Sequence, residues 1–212
     1  MDKHQEPLEA LREIRNMMER SSRFSSLSGL AGVVIGLFAI AGVAGVYLYL
    51  GLSLTSPGYH LYAITPEGVP DRKFLQFFFS DALIVLAAAL LTGSWMAVRK
   101  ARKQQLPVWD ATARRLLINM LIPLATGGIY ALILLYHGHI AQIAPATLIF
   151  YGLALVNASK YTIDDIRTLG ILEIIAGLLA AVFSDYGLLL WAAGFGVLHI
   201  IYGITIYSKY EK

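Results

Sequence analysis

The chain contains no cysteine, which excludes disulfide bonds, thiolate metal sites and thiol catalysis. Charged residues are also scarce, at 15% of the sequence, whereas hydrophobic residues make up 57%. A typical soluble domain has about 25% charged residues. Familiar catalytic signatures are missing too, because the sequence has no Gly-x-Ser-x-Gly, no His-Glu-x-x-His and no phosphate-binding glycine loop. We therefore expect no soluble enzyme, no bound cofactor and no nucleic-acid partner.

Long apolar runs take the place of these features, and runs of about 18 or more apolar residues are typical of transmembrane helices. They predict an all-α, polytopic membrane protein whose membrane domain covers residues 27–212. The six predicted spans, numbered one to six, are approximately 27–51, 74–98, 116–136, 141–159, 168–184 and 187–207. Pro123 in span three is expected to kink that helix without ending it. Span five is the shortest and carries Glu173.

Residues 1–26 are polar and precede the first span. Within them, Leu8, Leu11, Ile14 and Met18 are spaced as on one face of a helix. The spacing predicts an amphipathic cytoplasmic helix. Such a helix either lies on the inner leaflet or docks onto the inner loops of the protein or a partner subunit.

The positions of lysine and arginine predict the orientation. If the N-terminus is inside, all but two of the 17 Lys and Arg residues fall in cytoplasmic segments; the exceptions are Arg72 and Lys73. The positive-inside rule therefore places both termini in the cytoplasm. We expect the protein in the inner membrane of a bacterium, with the lipid bilayer as its first partner.

Three ionisable side chains fall clearly within the predicted spans: Asp81, Glu173 and His199. At 1.5 Å per residue, Asp81 lies about 7 Å outside the midplane, Glu173 about 7 Å inside it, and His199 within about 3 Å. Glu173 and His199 are on the two arms of one hairpin, so we expect them to form a hydrogen bond. Ionisable groups at this depth are a functional-site hypothesis by default.

Three interpretations of these groups stay open. They form a proton or cation pathway, a polar clamp that holds spans five and six together, or part of a ligand pocket. Other polar residues could line the site or bond to it: Asn119, Thr126, Tyr130, Tyr151, Asn157 and Tyr202.

Glycine spacing suggests close helix packing. Gly32 and Gly36 in span one have the spacing that lets two membrane helices approach closely, either within the bundle or at a homodimer face. Gly29 and Gly36 match Gly170 and Gly177 in span five, a seven-residue spacing that either duplication or chance would give.

A metal site is a minor alternative. His137 and His139 lie at the outer edge, near the loop that carries His60, and could bind zinc or copper there. His-x-His lacks a third ligand at fixed spacing, so we predict no metal.

The segment from Leu148 onward resembles a family of uncharacterised six-span membrane proteins of Bacteroidota. Three stretches carry the resemblance: Tyr151-Gly152 with Asn157 to Thr162, Gly194-Phe195-Gly196, and His199 to Gly203. The resemblance implies the six-span topology and an inner membrane, and it brings no activity.

Three functions follow as hypotheses. The first-ranked is a non-catalytic accessory or signalling protein, whose N-terminal helix and basic 99–115 loop engage a cytoplasmic partner. The second is a small proton- or cation-coupled transporter or channel that uses Asp81, Glu173 and His199. The third is a membrane enzyme acting on lipid or quinone, which needs a lateral opening that leads to Glu173 and His199.

Overall fold

A computed structural model describes residues 28–53, 58–65, 71–105 and 107–212. The predicted N-terminal helix of residues 1–26 lies outside the described residues. Within them the chain is helical and contains no strand, so the all-α prediction is confirmed.

Six long helices correspond to the six apolar runs. Five are continuous: α1 (Gly29–Leu50), α2 (Arg72–Lys103), α3 (Ala111–Tyr136), α4 (Ile143–Ala158) and α5 (Asp165–Val182). The sixth, α6, runs through residues 187–210 in three stretches: α-helical Gly187–Trp191, π-helical Ala192–Leu198 and α-helical His199–Tyr210. Short 3₁₀ turns are Tyr59–Ala63, Ile140–Gln142, Ser159–Tyr161 and Ser184–Tyr186.

Among the described residues, five helical segments are long and apolar enough to cross a membrane. These are Gly29–Leu50, Arg72–Lys103, Ala111–Tyr136, Ile140–Tyr161 and Ser184–Tyr210. Helix α5 has 18 residues and carries three charged side chains, Asp165, Arg167 and Glu173, which is more than the most apolar 18-residue stretch of any of those five segments carries. The protein therefore has the helices of a membrane protein.

Side-chain caps fix where two of the long helices begin. The Asp71 carboxylate accepts hydrogen bonds from the backbone N–H groups of Lys73 and Phe74, at 2.9 and 3.0 Å. Asp110 caps α3 by accepting from the N–H of Ala113 at 2.7 Å. Each cap satisfies N–H groups that have no partner within the helix. Helix α3 continues through Pro123, as expected for a proline within a membrane helix.

Glycines allow two helix pairs to approach closely. In the first pair, a Cβ added at Gly36 of α1 would lie 2.6 Å from the Gly196 carbonyl oxygen of α6. In the second, a Cβ at Gly170 of α5 would lie 2.7 Å from the Gly152 carbonyl oxygen of α4. Only a residue without a side chain fits at such distances, so α1–α6 and α4–α5 are the tightest contacts of the bundle.

Helices α2 and α3 occupy the two flanks. Helix α2 packs against α1, and α3 packs against α4, without extensive contact between α2 and α3. In the most apolar stretch of each, 6% of the residues are buried, compared with 44% for Ile140–Tyr161. Their outward residues are large and apolar, and Leu91 and Leu132 are 72% and 63% exposed. Such surfaces suit contact with lipid chains.

The loop between α1 and α2 includes the 3₁₀ turn Tyr59–Ala63. Tyr59 is buried, and its hydroxyl donates a hydrogen bond to the Ile140 carbonyl at 3.2 Å. Burial raises the pKa of this phenol above its usual value. The turn therefore anchors the α1–α2 loop against the start of α4.

Candidate functional site

Glu173, His199 and Tyr151 meet between α5, α6 and α4. Glu173 is 0% exposed and His199 is 6% exposed. The Nδ1 atom of His199 lies 3.3 Å from Oε1 of Glu173. Its Nε2 atom lies 2.8 Å from the Tyr151 hydroxyl. We call these three side chains the buried triad. Glu173 and His199 lie close together, but the hydrogen bond expected between them is not formed. Tyr151 joins them from the facing helix.

The ring of His199 also bonds to its own helix. Nδ1 lies 3.1 Å from the Gly194 carbonyl oxygen, five residues earlier in the chain. A carbonyl can only accept, so Nδ1 carries the proton and points at Gly194. In the neutral ring, Nε2 is then the acceptor for the Tyr151 O–H. In the doubly protonated ring, the Glu173 carboxylate is the nearby counter-charge.

The Glu173 carboxylate itself makes no hydrogen bond to the described residues, although both oxygens are buried. The N–H at Nδ1 is within ion-pair distance but is directed at Gly194. A buried polar group without a partner destabilises a fold by about 1–3 kcal/mol, and more if it is charged. This arrangement is therefore unfavourable unless something compensates for it.

Gly194 is the residue that makes room for this carboxylate. A Cβ added there would lie 2.5 Å from Oε2 of Glu173 and 2.6 Å from a methyl carbon of Leu148. Gly194 lies in the π-helical stretch Ala192–Leu198, and π-helical turns are frequent at functional sites. Sequence reasoning did not select Gly194, although its position five residues before the intramembrane His199 was a usable signal.

Aromatic rings pack beside the triad along the first half of α6. The Phe195 ring packs in a tilted arrangement against Tyr151, with centroids 4.7 Å apart, and against Trp191 at 4.6 Å. Trp191 Nε1 donates to the Thr147 hydroxyl at 3.2 Å, and this hydroxyl donates to the Ala144 carbonyl at 2.9 Å. The rings and these bonds link α4 to α6.

Asp81 is separate from the triad and lines a cavity of about 130 Å³ between α1, α2, α4 and α6. Its carboxylate lies over two glycines of α1, since Cβ atoms added at Gly42 and Gly45 would be 3.2 and 3.5 Å from its oxygens. Thr147 and Trp191 line the same cavity, but Glu173 and His199 do not. The three ionisable groups of the predicted spans therefore lie in two separate places.

The predicted asparagines belong to a third cluster. Asn157 donates to the backbone carbonyl of Asn119 at 2.8 Å, and Asn119 donates to the Tyr161 hydroxyl at 3.3 Å. Lys160 adds a bond to Asn157 at 3.3 Å. These contacts join α3 to the end of α4. Tyr202 packs against the apolar cluster around Leu155 and forms no hydrogen bond with the described residues.

The two glycines predicted to pack both face α6. A Cβ added at Gly32 would lie 3.2 Å from the His199 carbonyl oxygen. One added at Gly36 would lie 2.6 Å from the Gly196 carbonyl oxygen. These contacts correspond to packing within the bundle, the first of the two alternatives for this spacing.

The three outer histidines do not form one site. His60 Nε2 lies 3.9 Å from Asp185, while the rings of His137 and His139 are 6.4 Å apart. Across the described ranges, no group of three His, Cys, Asp or Glu side chains is arranged to hold a metal ion.

Sequence reasoning missed Glu211, near the end of the chain. Its carboxylate accepts from the N–H of Gly29 at 2.6 Å and pairs with Lys100 at 3.1 Å. One side chain therefore joins the start of α1, the end of α2 and the end of α6. Its position after a helix end gave no pattern from which this role could be predicted.

Comparison with family models, with curated proteins and with solved structures finds no match for this chain. The resemblance to a Bacteroidota family therefore stays a prediction, and the proposals below depend on the chain's own residues.

Proposed function

We propose that the chain is a six-span protein of the bacterial inner membrane, with both termini in the cytoplasm and a non-catalytic accessory or signalling role. In this proposal α5 also crosses the membrane, in addition to the five more apolar segments, and the buried triad is a clamp between α4, α5 and α6. The basic 99–115 loop, together with residues 1–26, is the surface that meets a cytoplasmic partner.

One observation carries the proposal: Glu173 and His199 are buried inside the bundle. A proton or cation pathway needs water or a chain of polar groups on both sides of its carriers. Glu173 is fully buried, and apolar Leu148 and the Phe195 ring lie beside the triad. The triad instead brings side chains of α4, α5 and α6 together, with the Tyr151–His199 hydrogen bond between α4 and α6 and Glu173 of α5 at 3.3 Å from His199. A clamp has this geometry.

The 99–115 segment supports a surface role. Arg102, Arg114 and Arg115 are exposed, and Trp109 between them is 65% exposed. Exposed Trp and Arg are the residue types most enriched among the residues that dominate binding at protein interfaces. Arg99 lies over the Trp95 ring at 5.4 Å, so the basic surface extends along the last turns of α2.

A double-mutant cycle tests the clamp. Tyr151→Phe and His199→Gln, alone and combined, are compared by thermal unfolding in a non-ionic detergent. Because the two side chains share one hydrogen bond, we expect the combined loss to be smaller than the sum of the separate losses. Strictly additive losses would mean that Tyr151 and His199 have no measurable interaction energy, which would contradict the clamp.

The partner role is tested by crosslinking in membranes. A photoreactive residue at Trp109 should yield one discrete crosslinked protein, and deletion of residues 1–22 should remove it. The matched control carries the photoreactive residue at Leu132, which is exposed on α3 far from the loop. If the crosslink persists after the deletion, or appears equally from position 132, the accessory role is wrong.

A second function, a proton-coupled transporter, draws on the unpartnered Glu173 oxygens beside a π-helical turn. In this function the sealed triad is an occluded state that takes up and releases a proton as the helices shift. Reconstituted protein would then dissipate a pH gradient faster than empty liposomes, and Glu173→Gln would remove the flux. The clamp proposal expects no flux above empty liposomes from the native chain.

A further inference from the structure

The cavity at Asp81 is a second place in the bundle where a charged group meets apolar walls. It lies in the half of the bundle that contains the first turns of α2 and the start of α6. Its lining comes from four helices, α1, α2, α4 and α6. It is partly open, and no residue of the buried triad contributes to it.

Asp81 is the unsatisfied group in this cavity. Among the residues that the structure describes, its carboxylate makes no hydrogen bond and no ion pair. The other polar side chains are already occupied, since Thr147 donates to the Ala144 carbonyl and accepts from Trp191. A carboxylate that faces apolar walls is stabilised most by a bound cation, because opposite charges attract strongly where water is scarce.

The walls determine which kind of cation fits. Metal ions such as Mg²⁺ or Ca²⁺ need about six or more oxygen ligands, whereas among the described residues of the lining only Asp81 and Thr147 supply side-chain oxygens. Phe78 and Trp191 present aromatic rings, which attract organic cations through their faces. The remaining lining consists of Gly, Ala, Val, Ile and Leu, which suits an apolar body.

We propose that this cavity binds a small lipophilic ammonium ion, whose charged nitrogen pairs with Asp81 and whose apolar part packs against Phe78, Val85 and Trp191. Asp81 is seven residues inside the predicted start of span two, about 10 Å along the helix. This depth places it below the headgroups, so the ligand is a free amine rather than an aminolipid. The site is independent of the buried triad and of the accessory role.

Trp191 provides a direct readout of binding. The chain has three tryptophans, and the other two, Trp95 and Trp109, are 59% and 65% exposed. Trp95→Phe and Trp109→Phe together leave Trp191 as the sole indole emitter. The protein is placed in phosphatidylcholine nanodiscs and titrated with n-hexylammonium, and with neutral 1-hexanol as the control for the apolar part.

We expect a saturable change in Trp191 emission with hexylammonium. Asp81→Asn should raise its Kd at least about tenfold, because it removes one partner of a desolvated charge pair, and should leave hexanol binding unchanged. Asp165→Asn, a matched neutralisation outside the cavity, should have no effect. If Asp81→Asn does not fold, Ala82→Leu fills the cavity from an exposed position and should block binding with Asp81 retained.

Three results would overturn the proposal. The first is an absence of saturable binding to the native cavity. The second is an unchanged Kd for hexylammonium in the Asp81→Asn variant. The third is loss of hexylammonium binding in nanodiscs that contain phosphatidylethanolamine, because a lipid headgroup would then be the occupant. None of these results affects the clamp, which the double-mutant cycle tests separately.

Discussion

The two carboxylates inside the bundle, Glu173 and Asp81, have opposite surroundings. Glu173 is fully buried, and Gly194 leaves just enough space for its oxygens. Asp81 lies on α2, at a flank of the bundle, and faces a cavity of about 130 Å³. Both lack a hydrogen bond within the described part of the chain, yet only one has space beside it for another molecule.

This difference separates two roles for a charged group in a membrane. A buried carboxylate next to a histidine interacts mainly with other groups of the same protein. Its removal should therefore change the free energy of unfolding. Removal of an accessible carboxylate in a cavity should change which ligands the protein binds, with little effect on the free energy of unfolding. The predictions below test this division, from the largest expected effect to the smallest.

The largest effect is expected from Gly194→Ala. The added Cβ would overlap Oε2 of Glu173 and the Leu148 side chain, so the triad must shift. Overpacking of this kind costs typically about 1–3 kcal/mol, and we expect the upper end because both neighbouring side chains, Glu173 and Leu148, are fully buried. Thermal unfolding in detergent measures the loss.

The matched control is Gly128→Ala in α3, where an added Cβ has nothing within 4 Å. That variant should be as stable as the native protein, or slightly more stable, because alanine favours a helix. Equal losses in both variants would mean that the space at Gly194 has no special role.

An intermediate effect is expected from Tyr151→Phe. The substitution removes the O–H that His199 Nε2 accepts and leaves a buried acceptor unpaired, which costs about 1–2 kcal/mol. Tyr202→Phe is the control on the same face of α6 as His199, since the Tyr202 hydroxyl has no hydrogen-bond partner among the described residues. If the two variants unfold at the same temperature, the hydrogen bond from Tyr151 does not contribute to the clamp.

The smallest effect is expected at Asp165, a carboxylate at the start of α5 and outside the predicted span. Partial burial alone would raise its pKa, but hydrogen bonds from Tyr210 at 2.8 Å and Lys209 at 3.1 Å outweigh this and lower the pKa. A lowered folded-state pKa stabilises the fold above the unfolded pKa of about 3.9. That contribution disappears as the pH falls through the lower, folded pKa.

The expected contribution of Asp165 is below about 1 kcal/mol, because its partner Lys209 is 56% exposed to solvent. Asp165→Asn should therefore reduce stability slightly at neutral pH and remove this part of the acid dependence. Thermal unfolding of the native chain and of Asp165→Asn, measured between neutral and acidic pH, checks both expectations. A variant that is more stable than the native chain at neutral pH would contradict the sign of the pKa shift.

The helices were predictable because a helix that crosses lipid needs a long run of apolar residues, and such runs can be read from the sequence. The predicted spans 27–51 and 187–207 differ from α1 and α6 by at most three residues at any end. The proximity of Glu173 to His199 was predictable because both positions belong to one hairpin at similar depth.

Other features depend on packing that a single sequence does not encode locally. The sequence does not show whether Asp81 meets Glu173 and His199; in the structure α2 contacts α1 and leaves Asp81 over Gly42. The role of Gly194 depends on a π-helical stretch, which has the same composition as an ordinary apolar helix. Glu211 acts at three helix ends that are close only in the folded chain.

The central claim, a sealed Glu173 and an accessible Asp81, is tested most directly by a small lipid-soluble carbodiimide. This reagent modifies protonated carboxyl groups that it can reach, and mass spectrometry of the native protein in nanodiscs compares the two residues in one sample. We expect modification at Asp81, protection of Asp81 by hexylammonium, and no modification of Glu173 while the protein is folded. Modification of Glu173 as fast as that of Asp81 would contradict the account.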